Sequence, residues 1–377
     1  MTSIILTMTL GLLLGMAAGG IMQRSDFCMT AAFRDFYLFR SVTMLAALLI
    51  LVTASAVLFE LVRLLTGAES FALVAYGVPT LVTLLGGTLF GVGMVLAGGC
   101  VVGILYRLGA GSRLSLWGLF GLIGGSALYA EMHPFWAGLK KGGVLAPHSV
   151  TLPQWLGLPS WSFVLALVLV TGILLWRRPQ AFAPLPGWRE IDGYIPPSFA
   201  ALALAGVGTL SVILYGKPLG VTTSYAKFAA HFEQLLIPGH LAATPFFQMQ
   251  SPIVFPYVPE TLIAGPGPTF DGIAVMQYPL IIGIILGSAV SAWQLGEWRW
   301  SAAANWRQTS SVLLGGLLMG LAARLATGCN IWHLWGGLPI FSVQSGLFLL
   351  GLFPGAWLGG RLLIHWVVPE KRQGDDG

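Results

Sequence analysis

Residues 86–107 read GGTLFGVGMVLAGGCVVGILYR, and residues 315–337 read GGLLMGLAARLATGCNIWHLWGG. Under an offset of 229 residues, Gly87 falls on Gly316, Gly91 on Gly320, Leu96 on Leu325 and Gly99 on Gly328. Cys100 falls on Cys329, and the chain contains only one further cysteine, Cys28, in the setting QRSDFCMTAAFRD. A glycine-studded apolar run that ends twice in Gly-Cys points to a duplicated architecture with a pore or binding site between its copies.

Composition sets the class around these phrases. The chain of 377 residues is 56% hydrophobic and 9% charged, with a mean hydropathy of +0.81. Soluble domains carry about 25% charged residues, so the sequence is that of an integral membrane protein. In that class a net charge of +5 is a topology signal and not a sign of nucleic acid. The N-terminal run lacks a positive flank, so it is expected to remain as a first span and not be cleaved. Three cysteines without a CxxC pair make neither a disulfide framework nor a closed zinc site. No metal, cofactor or ATP-binding motif is expected.

Apolar runs of about 20 residues, the length that crosses a bilayer, predict nine spans. They lie near 4–22, 42–65, 79–105, 115–132, 161–176, 197–215, 279–296, 311–335 and 345–367. Arginines and lysines alternate with them. Arg24, Arg34 and Arg40 follow the first span, Arg107 and Arg113 the third, Arg177, Arg178 and Arg189 the fifth. Arg299 and Arg307 follow the seventh, and Lys371 and Arg372 the ninth. The intervening loops hold only Lys140, Lys141, Lys217 and Lys227. The positive-inside rule then puts the N-terminus outside and the C-terminus in the cytoplasm. The third and eighth spans run in opposite directions, so the duplication reads as an inverted repeat. A weaker echo, GLLLG at 11–15 against GIILG at 283–287, is read as part of it. The expected fold is an all-α membrane protein of about nine helices, broken or re-entrant at the Gly-Cys motifs. Its halves are 1–176 and 279–377, joined by 177–278. Residues 216–278 hold eight prolines and the polar stretch VTTSYAKF, and are expected to form an external loop with short interfacial helices. Trp155, Trp161, Trp176, Trp188, Trp298 and Trp300 fall near span ends, as an aromatic belt does. The tail after Val368 is expected to be disordered.

A lone buried cysteine is an ordinary small apolar residue. Duplication beside glycines sets Cys100 and Cys329 apart from that reading. Gly99 and Gly328 let backbone approach a ligand, and a helix broken there presents N–H groups and a positive dipole end to an anion. The thiol is soft and a weak donor, which suits a sulfur- or selenium-bearing anion; phosphate or carboxylate calls for Arg forks. Arg24 and Arg324, charged residues near or within spans, are candidates to attract that anion. Arg34, Asp35 and Arg107 read as structural or snorkelling charges, His333 as a packed histidine, and the GxxxG spacings as close helix contacts.

SDFCMTAAFRDFYLFR, LAGGCVVGILYRLGAGS and GLAARLATGCNIWHLWGGLPIFS together resemble the three cysteine motifs of the YeeE/YedE sulfur-transport family of bacterial inner-membrane proteins. That resemblance implies an hourglass-shaped helical protein that imports thiosulfate. Cys28, Cys100 and Cys329 would relay the anion through S–H···S contacts, Cys100 would be the central gate, and Asn330 would touch the ligand. It also implies a sulfur-carrier partner of the TusA type, and a selenium-associated branch whose cargo is the alternative. Val101 and Val102 stand where many relatives carry a small polar residue. A membrane thiol oxidoreductase is the rival outside transport, disfavoured by the lack of CxxC, and a scaffold that tethers a sulfur carrier is another. Enzymatic activity is not expected.

Overall fold

Glycine spacing on the apolar runs decides which helices touch in the computed structural model, which describes residues 2–67, 76–147, 149–182, 193–301 and 305–367. The first half comprises α1 (Thr2–Ser25), α2 (Met29–Leu38), α3 (Thr43–Thr66), α4 (Leu81–Leu96), α5 (Val101–Gly109) and α6 (Leu114–Glu131). Next come α7 (His133–Gly142), α8 (Leu152–Leu156), α9 (Ser160–Arg177) and α10 (Pro179–Phe182). The second set, which takes in α11 and α12 from the segment 177–278 expected only to join the halves, comprises α11 (Pro197–Tyr215), α12 (Thr223–Leu236), α13 (His240–Ala243), α14 (Gly272–Gln294), α15 (Trp306–Leu325) and α16 (Val343–Val367), with a π-helical segment at Ile331–Gly337. A two-stranded hairpin of β1 (Ser251–Ile253) and β2 (Leu262–Ala264) precedes α14. Trp188, Arg189, Lys371, Arg372 and the tail after Val368 lie outside the described residues.

Between helices in lipid there is little hydrophobic drive, so close packing of small residues holds them together. Gly15 and Gly283 meet where α1 crosses α14, Gly91 and Gly355 where α4 crosses α16, and Gly121 and Gly316 where α6 crosses α15. In each pair the residue numbers rise together along the contact, so the helices run parallel. By contrast α4 and α15 are antiparallel: Gly86 lies against Ala326 and Gly93 against Gly315, and Ser311 Oγ donates to the Leu96 carbonyl at 2.9 Å. The two Gly-Cys copies therefore point in opposite directions.

The packing pairs exchange under a two-fold relation of the halves. If α1, α2, α3, α4 and α6 correspond to α11, α12, α14, α15 and α16, then α1 on α14 maps to α11 on α3. Likewise α4 on α16 maps to α6 on α15, and α2 on α16 to α12 on α6. This assignment corrects the GLLLG/GIILG echo. Those glycines lie on α1 and α14, which are direct packing partners and not copies of each other. The small residues on both faces let the two backbones approach closely there.

Among the described residues, seven helical stretches are long and apolar enough to cross a membrane: Thr2–Leu38, Thr43–Thr66, Leu81–Gly109, Ser160–Arg177, Pro197–Tyr215, Gly272–Gln294 and Val343–Val367. The two other expected spans correspond to α6 and α15, which pack along one another and are not in that set. A second difference lies in residues 216–278. Instead of lying wholly outside, α12 buries Ser224, Tyr225, Ala226, Lys227, Ala229 and Ala230 against the helices around it. Its polar groups are satisfied inside: Lys227 Nζ donates to the Gly267 and Thr269 carbonyls and to Asp271 Oδ2, at 2.8–2.9 Å.

The crossings give a direct test. A Cβ on Gly283 would fall into the backbone of Leu12, Gly15 and Met16, which cannot yield without parting α1 from α14. Gly283→Ala is expected to destabilise by about 1–3 kcal/mol. Gly124 on α6 has no atom within 4 Å of the corresponding point, so Gly124→Ala is expected to be neutral or to gain up to about 1 kcal/mol. Thermal unfolding of the two variants in detergent separates these outcomes.

Candidate functional site

All three cysteines sit at helix starts, and the backbone explains why. Helix α4 stops at Leu96 because Gly98 turns left-handed (φ 68°), and the chain re-enters a helix with Cys100 as the N-cap of α5. The second copy makes the same turn at Thr327 (φ 61°), the position equivalent to Gly98, before Cys329 and the π-helical segment. A β-branched residue in that region is strained; the Gln344 side-chain amide donates to Thr327 Oγ1 at 2.7 Å and helps hold it. Cys28 is the N-cap of α2. In the two-fold relation its counterpart is Thr222, the N-cap of α12, so the third thiol does have a structural twin that carries a hydroxyl.

The sulfur atoms are free and buried, with exposures of 4% at Cys28, 4% at Cys100 and 2% at Cys329. Cys100 lies within electrostatic reach of both other thiols. The amides of Val102 and Gly103 face the Cys100 sulfur, and those of Ile331 and Trp332 face that of Cys329. Each thiol thus lies at a positive helix end. Gly328 is required by contact, since a Cβ there would strike the Trp332 indole, and Gly99 packs on the next turn at Gly103. Val101 and Val102 are fully buried, so this stretch is walled by aliphatic side chains.

Polar groups flank the thiols on two sides. Around Cys329 stand Arg324, Tyr76 and Tyr225, and Tyr225 also reaches Cys100. The Tyr225 hydroxyl, Arg324 Nε and Asn330 Oδ1 are buried with no hydrogen-bond partner among the described residues, as is the Thr30 hydroxyl two residues after Cys28. The Arg324 guanidinium donates to the Thr222 and Thr223 hydroxyls, and Asn330 Nδ2 to the Met94 sulfur at 3.4 Å. A cavity of about 250 Å³, lined by Thr223, Phe246, Ile273 and Arg324, opens on this side. Lys140 Nζ donates to the Arg324 carbonyl at 3.0 Å; burial, then the Arg324 charge, pull its ammonium down to about 8. Near Cys28 stand Tyr106, Arg107 and Asp26. Arg107 donates to the Gly98 carbonyl at the helix break.

The structure brings Cys28, Cys100, Cys329, Gly99, Gly328, Asn330 and Arg324 into one region. Arg24 is not brought to them: its guanidinium donates to Gln294 Oε1 near the surface. Arg107 stands there instead, although in sequence it has the look of a structural or snorkelling charge. Tyr225 joins them from VTTSYAKF, whose polarity in sequence is that of a loop and in the fold that of a buried helix with matched polar groups. Arg34 pairs with Asp35 at 2.7 Å, as read. His333 is packed between the Ser345 hydroxyl (3.0 Å) and the Ala326 carbonyl (2.9 Å) and stacks on Phe348.

The arrangement offers soft sulfur contacts in the middle and unmatched oxygen-binding groups beside them. Comparison with known proteins agrees in kind. A family profile described as sulphur transport matches residues 24–358. The chain is 29% identical over 367 residues to the thiosulfate transporter TsuA of Spirochaeta thermophila, covering 92% of this chain and 98% of that protein. It is 29% identical over 384 residues to the thiosulfate transporter TsuA of Escherichia coli, covering 96% of each. The probable transporter YedE of Escherichia coli is 37% identical over 121 residues, 32% of this chain and 29% of that protein.

Proposed function

The chain belongs to the sulphur-transport family, and we propose that it is a permease that carries thiosulfate across the membrane by way of its three thiols. The observation that carries this reading is the pairing of soft and hard partners in one buried place. Thiosulfate has a polarisable terminal sulfur at one end and sulfonate oxygens at the other. Cys329, Cys100 and Cys28 receive the sulfur, while the unpartnered Tyr225 hydroxyl and Arg324 Nε receive the oxygens.

The anion enters through the cavity at Arg324, where the second cation, Lys140, adds to the attraction. It sheds water against helix N-termini that replace part of its hydration. Cys100 then passes it from the Cys329 side to the Cys28 side, because it alone has been placed in reach of both. Contacts of this kind are weak enough to exchange, which conduction requires. No bond of the substrate changes, so the protein acts as a carrier and not as an enzyme. We place it in a bacterial inner membrane; positive-inside alternation and the antiparallel α4 and α15 support the orientation with Arg324 toward the outside and Arg107 toward the cytoplasm. A TusA-type carrier is the proposed acceptor there.

Reconstitution in liposomes tests the reading. Uptake of radiolabelled thiosulfate is expected to saturate, to fall with excess unlabelled thiosulfate and to ignore excess sulfate, which lacks the soft atom. Binding without flux by folded protein would overturn the permease and leave a scaffold. Stronger competition by selenosulfate than by thiosulfate would assign the cargo to selenium.

A further inference from the structure

A groove of about 690 Å³ runs between α3, α9 and α16, remote from the thiols' own side chains. Its wall is aliphatic and aromatic, including Val42, Leu49, Val52, Leu167, Leu338 and Phe353, and among the described residues its one charged lining residue is Arg178. The groove exists because α9 is loosely joined to the rest. Thr171 is its single buried residue, hydroxyl to hydroxyl with Thr53 at 2.9 Å. An acyl chain that fills an apolar slot of this size gains dispersion contacts along its whole lining.

We infer that one anionic phospholipid occupies this groove, with an acyl chain along α3 and the phosphate at Arg178. The dimensions are those of one leaflet. From Val42 to Val52 the lining follows about 15 Å of helix, half of a hydrocarbon core about 30 Å thick. The charge sits at one end only. Arg178 is the C-cap of α9 and Val42 the N-cap of α3, and the Thr53–Thr171 and Glu60–Ser160 contacts run the two helices antiparallel, so both caps fall at the same end of the groove, with Leu167 toward the other. No carboxylate among the described residues pairs with Arg178. An anionic headgroup answers that charge; a zwitterionic one does so less well. Leu338 directly follows the π-helical segment Ile331–Gly337 and Phe341 lies three residues further on, so the lipid braces the far end of the segment that starts just after Cys329.

Native mass spectrometry of delipidated protein, titrated with phosphatidylglycerol and phosphatidylethanolamine of equal chain length, tests this. Phosphatidylglycerol is expected to be retained about fivefold better, the ratio that corresponds to about 1 kcal/mol for one basic residue at the surface. Arg178→Gln is expected to erase the preference, and Leu49→Trp, which fills the slot, to lower retention of both lipids. Phosphatidylglycerol is also expected to raise the Tm of the wild type and not of Arg178→Gln, a readout that stands even if Leu49→Trp does not fold. Equal retention of both headgroups overturns the inference, as does an unchanged preference in Arg178→Gln. A wild-type dimer that Leu49→Trp converts to monomer would assign the groove to a second copy of the chain instead.

Discussion

Cys100→Ser is expected to lower thiosulfate uptake at least about tenfold while the protein remains folded. Serine keeps a donor of similar size but exchanges a soft, polarisable sulfur for a hard oxygen. Cys100 is the thiol within reach of both Cys28 and Cys329, so the step in either direction depends on it. Cys100→Ala, which removes the donor altogether, is expected to lower uptake at least as far: a hydrogen bond to a charged group is worth about 1.5–3 kcal/mol, and every 1.36 kcal/mol is a factor of ten in rate. Cells that depend on thiosulfate as sulfur source, together with liposome uptake, report the effect. Normal uptake by either variant would remove Cys100 from the path, whatever the protein's cargo.

The second large effect falls on stability. Lys227→Met is expected to destabilise by about 3–5 kcal/mol, because it leaves a buried carboxylate without its cation. Lys227 is fully buried, and its ammonium is held by two carbonyls and Asp271. Asp271 meanwhile caps α14 through the Ile273 and Ala274 amides and accepts from the Gly265 amide. One ion pair thus ties α12, the hairpin region and the start of α14 together. Adding Asp271→Asn to Lys227→Met is expected to recover part of the loss, since asparagine keeps the caps without the charge. Thermal unfolding in detergent measures both; a double variant less stable than the single one would show that the charge itself is not the cause.

Much of this was open to reading from local pattern. The repeat is legible because the offset of 229 preserves Gly-Cys and its upstream glycines. Packing of GxxxG faces and of His333 followed from residue type alone. Arg107 misled because an arginine after an apolar run has the same local appearance whether it snorkels or folds back onto Gly98. VTTSYAKF misled because polarity and prolines look alike in a loop and in a helix whose polar groups are matched from within. The GLLLG echo misled because mutual contact and common descent both produce matching small residues.

By itself, then, the sequence determined a polytopic helical membrane protein with a duplicated, broken helix and three thiols in glycine-rich settings. Those properties depend on composition and on neighbours along the chain. Only the tertiary structure decided that the opposed α4 and α15 pack directly on each other, that Cys28 joins Cys100 with Thr222 as its twin, and that Tyr225 and Arg107 stand by the sulfurs. The reason is physical: electrostatic reach and hydrogen bonding act over a few ångströms of space. Which residues share those ångströms depends on helix crossings between segments hundreds of residues apart.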